Sequence, residues 1–575
     1  MGNKDWLKFY GDIPHSIQYP DGSLYAVLRA SIQDHKQDIA YDFLGKKATY
    51  NELGKQIDAY ACAFHKMGLR PGDTFSIIMP TSPQGIIAFY AVNKLGAVAS
   101  FIHPLSTENE LEHYLKLSRS KFALTLDMFY EKLAGIKDNI PLEKLFVTKI
   151  SEYMPAFKRI GYNLMTMKNR VNLDKYWALW LDTTHVTCDK PVDAVKTDKN
   201  TLAVILYSGG TTGTPKGVML TNGNIVSEGM QVAVWGKLDH TDTILAILPI
   251  FHGFGLSVCV NAALVAGART VLVPKFTVKD VAGLIRKKHP TFLIGVPTLY
   301  RALLNEKKFV TSDLSFLKAV FSGADTLPGE LKKEFDDVVK KNQGSAFLLE
   351  GYGLTEAVTA IMAMPMDHYR EGSVGIPFPD MDAKIFKPGT TREMPYGEIG
   401  EICVEGPAVM KGYLDNKEET NATLKVHEDG KTWLHTGDLG YRDQDGFFYF
   451  KQRLKRMIKS SGMNVYPSEV ENVICKHPDV KLACVIGVED KNQIHRIKAF
   501  VELHDHSVAS QEKEKEIIAF VRTQLIKWSC PREVEFVEKL PLTRIGKVDY
   551  KKLEELENER KSSDYKVPGS GGSTL

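Results

Sequence analysis

Residues 207–217 read YSGGTTGTPKG, and they overlap the end of the apolar run LAVILYS at 202–208. That run is short, aliphatic and β-branched, and it ends in small polar residues, which predicts a buried strand. The segment after it cannot fill a core. Its glycines, serine and threonines present backbone N–H groups and hydroxyls that can wrap phosphate oxygens, and Lys216 adds a cation. A loop of this kind at the end of a buried strand is where an α/β fold binds anions. The candidate phosphate-binding residues are therefore Ser208, Gly209, Gly210, Thr211, Thr212, Gly213 and Lys216. A Walker-type loop is excluded, because that pattern needs Gly immediately before the Lys and Pro215 stands there.

Outward from this loop, FSIIMP (75–80), ILAILPI (244–250) and TVLVPKF (270–276) read as further buried strands. SPQGIIAFYAVNKLG (82–96) and VKDVAGLIRKKH (278–289) read as helices between and after them. Such alternation predicts an α/β architecture with largely parallel sheets. From about Asp382 the texture changes to short strands with Gly and Pro turns, which predicts an antiparallel β subdomain. After Gln452 a compact α+β unit is expected. It comprises a strand-turn at 456–466, a helix from Ser468, strands around 481–488 and 497–503, and a helix at 511–527. Ser468 and Glu471 have the spacing of a capping box. The expected organisation is an N-terminal domain over 1–454, β-rich from about 380, and a small C-terminal domain over 455–560. A disordered Gly/Ser-rich tail is expected over 561–575.

The 575 residues are 43% apolar and 25% charged, an ordinary globular composition. A net charge of +3 is too balanced for a nucleic-acid binder. Seven cysteines without a Cys-x-x-Cys pair argue against a zinc site or a disulfide framework and for a reducing, cytoplasmic setting. The start, MGNKDWLKFYG, has neither a signal-peptide pattern nor the myristoylation pattern. The longest apolar stretch, Gly255 to Ala268, is shorter than a membrane span. Lys158 to Lys175 is basic with interleaved apolar residues, and it reads either as a solvated surface insertion or as a peripheral membrane contact.

With the other motifs in view, the sequence resembles the adenylate-forming superfamily of acyl-CoA synthetases, luciferases and adenylation domains. The loop is joined in order by LPIFHGFGL (248–256), SGADTLP (322–328), GYGLTEA (351–357), HTGDLG (435–440), RLKRMIKSSGMNVYPSEVE (453–471) and PLTRIGKVDYKKL (541–553). The likeness covers residues 20 to 555. The opening SLYAVLRASIQDHKQDIAYDFLGKKATYNEL and the basic insertion most resemble long-chain fatty-acid–CoA ligases of the bacterial type.

The resemblance implies a fatty carboxylate activated by ATP to acyl-AMP with loss of pyrophosphate, then transferred to coenzyme A. It implies ATP, CoA and Mg2+ as reactants and cofactor. Thr211, Thr212 and Lys216 would hold the β- and γ-phosphates, and Glu356 would bind the metal through oxygen. Tyr352, with Gly353 and Thr355 beside it, would stack on adenine, and Gly323, Ala324 and Asp325 would form the nucleotide wall. Asp438 would accept the ribose hydroxyls, and Arg453 would add a cation nearby. Lys547 would bridge the attacking carboxylate and the α-phosphate. His252 would be a gate or wall of the acyl site. The C-terminal domain would pivot at Lys455, exchanging Lys547 for the Lys459–Tyr466 strand, with Gly462, at the thiol step. Gln452, where relatives commonly have Gly, and Lys455, where many have Asp, depart from the pattern. Three other readings stay open. The chain could activate an aryl or bile-type acid, load a carrier-protein phosphopantetheine, or be a nucleotide-binding regulator without catalysis.

Overall fold

The computed structural model describes residues 4–166, 171–181, 190–208, 215–460, 463–490, 494–543 and 548–564. Two large sheets form its core. The first has eight strands, running Gly412–Tyr413, Lys216–Thr221, Leu202–Ser208, Val98–Phe101, Thr74–Ile78, Phe122–Leu126, Lys144–Thr148 and Ala178–Trp180. The second has nine. Its order begins at Ile376–Pro377, Ala360–Ala363, Leu348–Gly353 and Ala319–Ser322, and ends at Ile39–Phe43 and Lys46–Thr49. Pairing is parallel through the middle of both sheets and antiparallel at the edges that carry the motifs. Helices cover the faces. Pro83–Lys94, buried along its whole length, lies where the sequence pattern put it, and so does Val278–Lys288. Central strands buried on both faces read as continuous apolar runs, which is why those runs were readable.

The run Gly255–Ala268 is a buried element of unusual form. Phe254–Asn261 is a π-helix, continued by the short α-helix Ala262–Val265. Asn261, which interrupts the apolar run, is fully buried. It accepts from the Tyr90 hydroxyl at 2.9 Å and donates to the Ile225 carbonyl at 3.1 Å.

A third, antiparallel sheet follows, with strands Asp382–Phe386, Gly400–Glu405, Thr432–Arg442, Leu424–Val426 and Phe448–Arg453. The 3-10 turn Leu454–Arg456 leads to a fourth sheet built from Ile458–Ser460, Met463–Val465, Val480–Asp490, Ile494–Leu503 and Glu533–Phe536. The capping box expected at Ser468 is not formed. The helix begins at Pro467 with Tyr466 as its N-cap, and Glu471 is drawn to Arg456 and to the Val485 N–H instead. A proline at the first helical position fixes the start two residues earlier than the box would. The helix Tyr550–Asp564 continues past residue 561, where the tail was expected to begin; 565–575 lie outside the described residues. Cys62 is disulfide-bonded, a departure from the reducing setting that the cysteine pattern suggested. Cys259, Cys403, Cys475, Cys484 and Cys530 are free thiols. Among the described residues no helix is long and apolar enough to cross a membrane.

Candidate active site

The Gly/Thr loop joins two antiparallel strands, and its ends, Ser208 and Lys216, are register partners. Gly209, Gly210, Thr211, Thr212 and Gly213 lie outside the described residues, so the site is built here from what surrounds them. The Lys216 ammonium pairs with Glu419 and sits 5.0 Å from the centre of the Tyr413 ring. Tyr413 reaches this place because Gly412–Tyr413 adds a short antiparallel strand to Lys216–Thr221, with Tyr413 opposite Val218. Its hydroxyl donates to Glu356 Oε1 at 2.9 Å. Lys216 and Glu356 are thus linked through one tyrosine. Burial, with Glu356 beside it, pushes the Tyr413 phenol far up, so it stays a donor. A cleft of about 210 Å3 lined by His113, Pro215, Lys216, Gly217, Leu414 and Asp415 adjoins the loop.

Glu356 stands on strained backbone. After the 3-10 turn Thr355–Ala357, Val358 has φ 64° and ψ −67°, and the Thr359 N–H bonds the Ala357 carbonyl at 2.7 Å. This is a γ-turn of the positive-φ kind, rare for any residue and worse for a β-branched one. Such a conformation costs about 1–3 kcal/mol and persists only where its surroundings over-determine it. Here they do. A Cβ on Gly353 would lie 1.4 Å from the Thr359 carbonyl oxygen, and one on Gly253 would lie 2.0 Å from that of Val358. The Glu356 carbonyl accepts from the Met410 N–H at 2.8 Å.

In the strand Leu348–Gly353, which precedes this turn, Tyr352 donates to Asp438 Oδ2 at 2.7 Å. Asp438 pairs through Oδ1 with Arg453 Nε at 2.8 Å, the two being opposite one another in adjacent strands. Arg453 also donates to the Thr436 carbonyl at 3.3 Å. Burial works against the guanidinium's charge, but Asp438, then Tyr352 and Glu356, hold its pKa above the ordinary range. The metal-ligand candidate and the ribose candidates therefore share one electrostatic neighbourhood. Gly323 closes the wall after Ala319–Ser322; a Cβ there would meet the Phe254 ring at 3.0 Å. Ala324 has φ 66°, a left-handed turn that exposes Ala324 and Asp325. Asp325 Oδ1 accepts from the Thr326 N–H at 2.9 Å, holding that turn.

His252 is half-buried between Phe251, at 4.9 Å between ring centres, and the start of the π-helix; its carbonyl accepts from the Leu256 N–H at 2.9 Å. Gly253 places it against the Val358 turn. Lys455 lies exposed in the Leu454–Arg456 turn, and the backbone of Lys459 pairs with Asn464. Gly462 and Lys547 lie outside the described residues. The sequence reading missed Tyr413 and Glu419. The signal available was a Gly–aromatic pair in KGYLDN, and no local pattern says which distant strand it joins.

A buried carboxylate beside an exposed arginine, and a second carboxylate and a lysine joined by one tyrosine, gather on two sheets that are parallel in their middles, with a smaller sheet following in the chain. Residues 28–414 match the AMP-binding enzyme family, and residues 469–547 match the AMP-binding enzyme C-terminal domain. The chain is 36% identical to a long-chain-fatty-acid–CoA ligase of Bacillus subtilis over 97% of its own length and 99% of that relative's. It is 30% identical to the enzyme of the same name from Escherichia coli, covering 95% of this chain and 97% of the other. Among solved structures, ATP-bound MatB from Rhodopseudomonas palustris superposes with a TM-score of 0.81 at 26% identity, over 94% of this chain and 99% of that one. The chain belongs to the AMP-binding enzyme family.

Proposed function

We propose that the protein is an ATP-dependent acid–thiol ligase that converts medium- or long-chain fatty acids into acyl-CoA. In the first step a carboxylate oxygen attacks the α-phosphorus and pyrophosphate leaves. In the second the CoA sulfur attacks the acyl carbon of acyl-AMP and AMP leaves with the electron pair. Both steps gather negative charge on oxygen, so oriented cations and donors lower the barrier most. The observation that carries the reading is the pair of linked clusters, Lys216–Tyr413–Glu356 and Tyr352–Asp438–Arg453, set close enough for Glu356 to act on Arg453. Near-full-length likeness to named fatty-acid–CoA ligases supports the choice of acid and acceptor.

In this reading Lys216 and the loop residues Ser208, Gly209, Gly210, Thr211, Thr212 and Gly213 hold the β- and γ-phosphates. Glu356 is a half-buried oxygen donor of the hard kind that suits Mg2+ keeping several waters. When bound, that ion offsets phosphate charge. Tyr352, Gly353, Thr355, Gly323, Ala324 and Asp325 surround adenine, Asp438 and Arg453 take the ribose, and His252 walls the acyl group. Lys547 serves adenylation alone. Lys547→Ala therefore abolishes acyl-AMP formation but spares thioester formation from supplied acyl-AMP, and equal loss of both would refute the pivot at Lys455 with Lys459 and Gly462.

The segment 158–175 supports peripheral contact between an otherwise cytoplasmic enzyme and membrane. The helix Ala156–Met165 buries none of its side chains and exposes Phe157, Ile160, Leu164 and Met165 beside Lys158 and Arg159. The deciding measurement is AMP and pyrophosphate release across a panel of acids with CoA present. Preference for fatty over aryl acids is expected. No AMP with any acid would refute the function, and an aryl preference would refute the substrate class. A 31% identical feruloyl-CoA synthase from an Amycolatopsis species makes that second outcome worth including.

A further inference from the structure

Glu228 has no place in the reaction above, yet it is a carboxyl in the middle of the core. It lies on the helix Asn222–Trp235 with 0% exposure. One oxygen pairs with the hydroxyl of Ser257, a fully buried residue of the π-helix. The other accepts from the backbone N–H of Ala360 at 3.3 Å. Ala360 follows directly on Thr359, whose N–H closes the strained γ-turn behind Glu356. The three elements are in close contact elsewhere too. A Cβ on Gly229 would lie 2.3 Å from Asn261 Nδ2 of the π-helix, and Gly253, next to its first turn, abuts the Val358 carbonyl. π-Helices are rare, and they concentrate at functional sites.

We propose that Glu228 is a positioning residue for adenylation, a polar brace that ties the π-helix to Ala360 and so holds the Val358 turn in the shape that presents Glu356 to Tyr413 and Lys216. The inference rests on the reading of Glu356 as the metal–nucleotide ligand. An apolar side chain of the same size would fill the space without fixing direction. A carboxyl with one partner on each neighbouring element fixes both. Without the bond at Ala360, Val358 is free to relax to negative φ, and the peptide that carries Glu356 rotates with it. Burial pushes the Glu228 carboxyl up to about 8, which keeps it largely neutral at physiological pH, while the Ser257 hydroxyl and the Ala360 N–H, both donors to it, act the other way. The titratable neighbour facing it is Cys259 of the π-helix, which burial raises to about 12 and keeps neutral as well.

The test compares the full-length wild type with Glu228→Leu, Glu228→Gln and Ser257→Ala, by fatty-acid-dependent AMP release. Glu228→Leu should lower kcat roughly 100-fold, the effect of misplacing a catalytic group by about 1 Å, and leave KM for the fatty acid unchanged. Glu228→Gln keeps an acceptor for Ala360 and a donor for Ser257, so it should restore kcat. A folded Glu228→Leu with wild-type kcat would overturn the proposal, as would a Glu228→Gln as slow as Glu228→Leu. Should Glu228→Leu fail to fold, Ser257→Ala with an unchanged kcat would overturn it. A wild type that makes no AMP refutes the ligase reading itself, whereas an active wild type with indifferent variants refutes this brace alone.

Discussion

Asp438→Asn removes one charge and almost no volume. Asp438, 2% exposed, accepts from Tyr352 at 2.7 Å and is ion-paired with Arg453 at 2.8 Å. Asparagine can still accept from Tyr352, but its amide then turns two donors toward Arg453. Breaking a fully buried ion pair costs about 3–5 kcal/mol. Because the Arg453 side chain is 52% exposed, water recovers much of that, and a stability loss of about 1–2 kcal/mol remains. The larger effect falls on ATP. A hydrogen bond to a charged group is worth about 1.5–3 kcal/mol, and two ribose hydroxyls would lose a charged acceptor. The expected result is a KM for ATP raised roughly 10- to 100-fold, with a smaller drop in kcat. The assay is AMP release at saturating fatty acid and CoA with ATP varied, beside a thermal melt that confirms folding. A folded variant whose KM for ATP moves less than about threefold would refute the ribose assignment.

Gly353→Ala should leave a protein with little adenylation activity, because its methyl would lie 1.4 Å from the Thr359 carbonyl and force the Glu356 turn to move; an active variant would show that the turn geometry is dispensable. Gln452 is 1% exposed, and neither amide atom has a hydrogen-bond partner among the described residues. Gln452→Leu should therefore stabilise the protein by roughly 1–3 kcal/mol in denaturant unfolding, and a lower midpoint would contradict the burial argument. Glu228→Gln removes a carboxyl that ionises at about 4.5 when unfolded and about 8 when folded. The folded state binds the extra proton, so wild-type stability is full below the lower value and is lost as pH rises through the higher one. The melting temperature of Glu228→Gln should thus gain on wild type from about pH 4.5 to about pH 8, by up to roughly 5 kcal/mol, and level off above; a pH-independent difference would count against the shift.

The alternation of strands and helices was readable because central strands buried on both faces must be apolar throughout, as Leu202–Ser208 shows. The glycines of the candidate nucleotide wall were readable for a related reason. Gly323 and Gly353 stand where a side chain would collide with a ring or a carbonyl, so the motif records a steric demand. The capping box at Ser468 failed because Glu471 had a better partner in Arg456, brought by another element. The length of Gly255–Ala268 ruled out a membrane span but could not distinguish a π-helix, since both are uniformly apolar. Glu228 looked like any charge on a helix. Only its burial in the core, where Ser257 and Ala360 donate to it, lifts its carboxyl above the ordinary range.

Taken alone, the chain's residues indicated which backbone segments are buried, where turns fall, and which residues are candidates for phosphate, metal and ribose contacts. Those properties follow from hydration, sterics and the choice of charge at a position, all of which act locally. The folded structure decided that Tyr413 joins Lys216 to Glu356, that Asp438 faces Arg453, and that Gly253 packs against the strained turn at Val358. Each of these is a contact between residues far apart in the chain. Strand order and register create such contacts, and no residue type carries that information by itself.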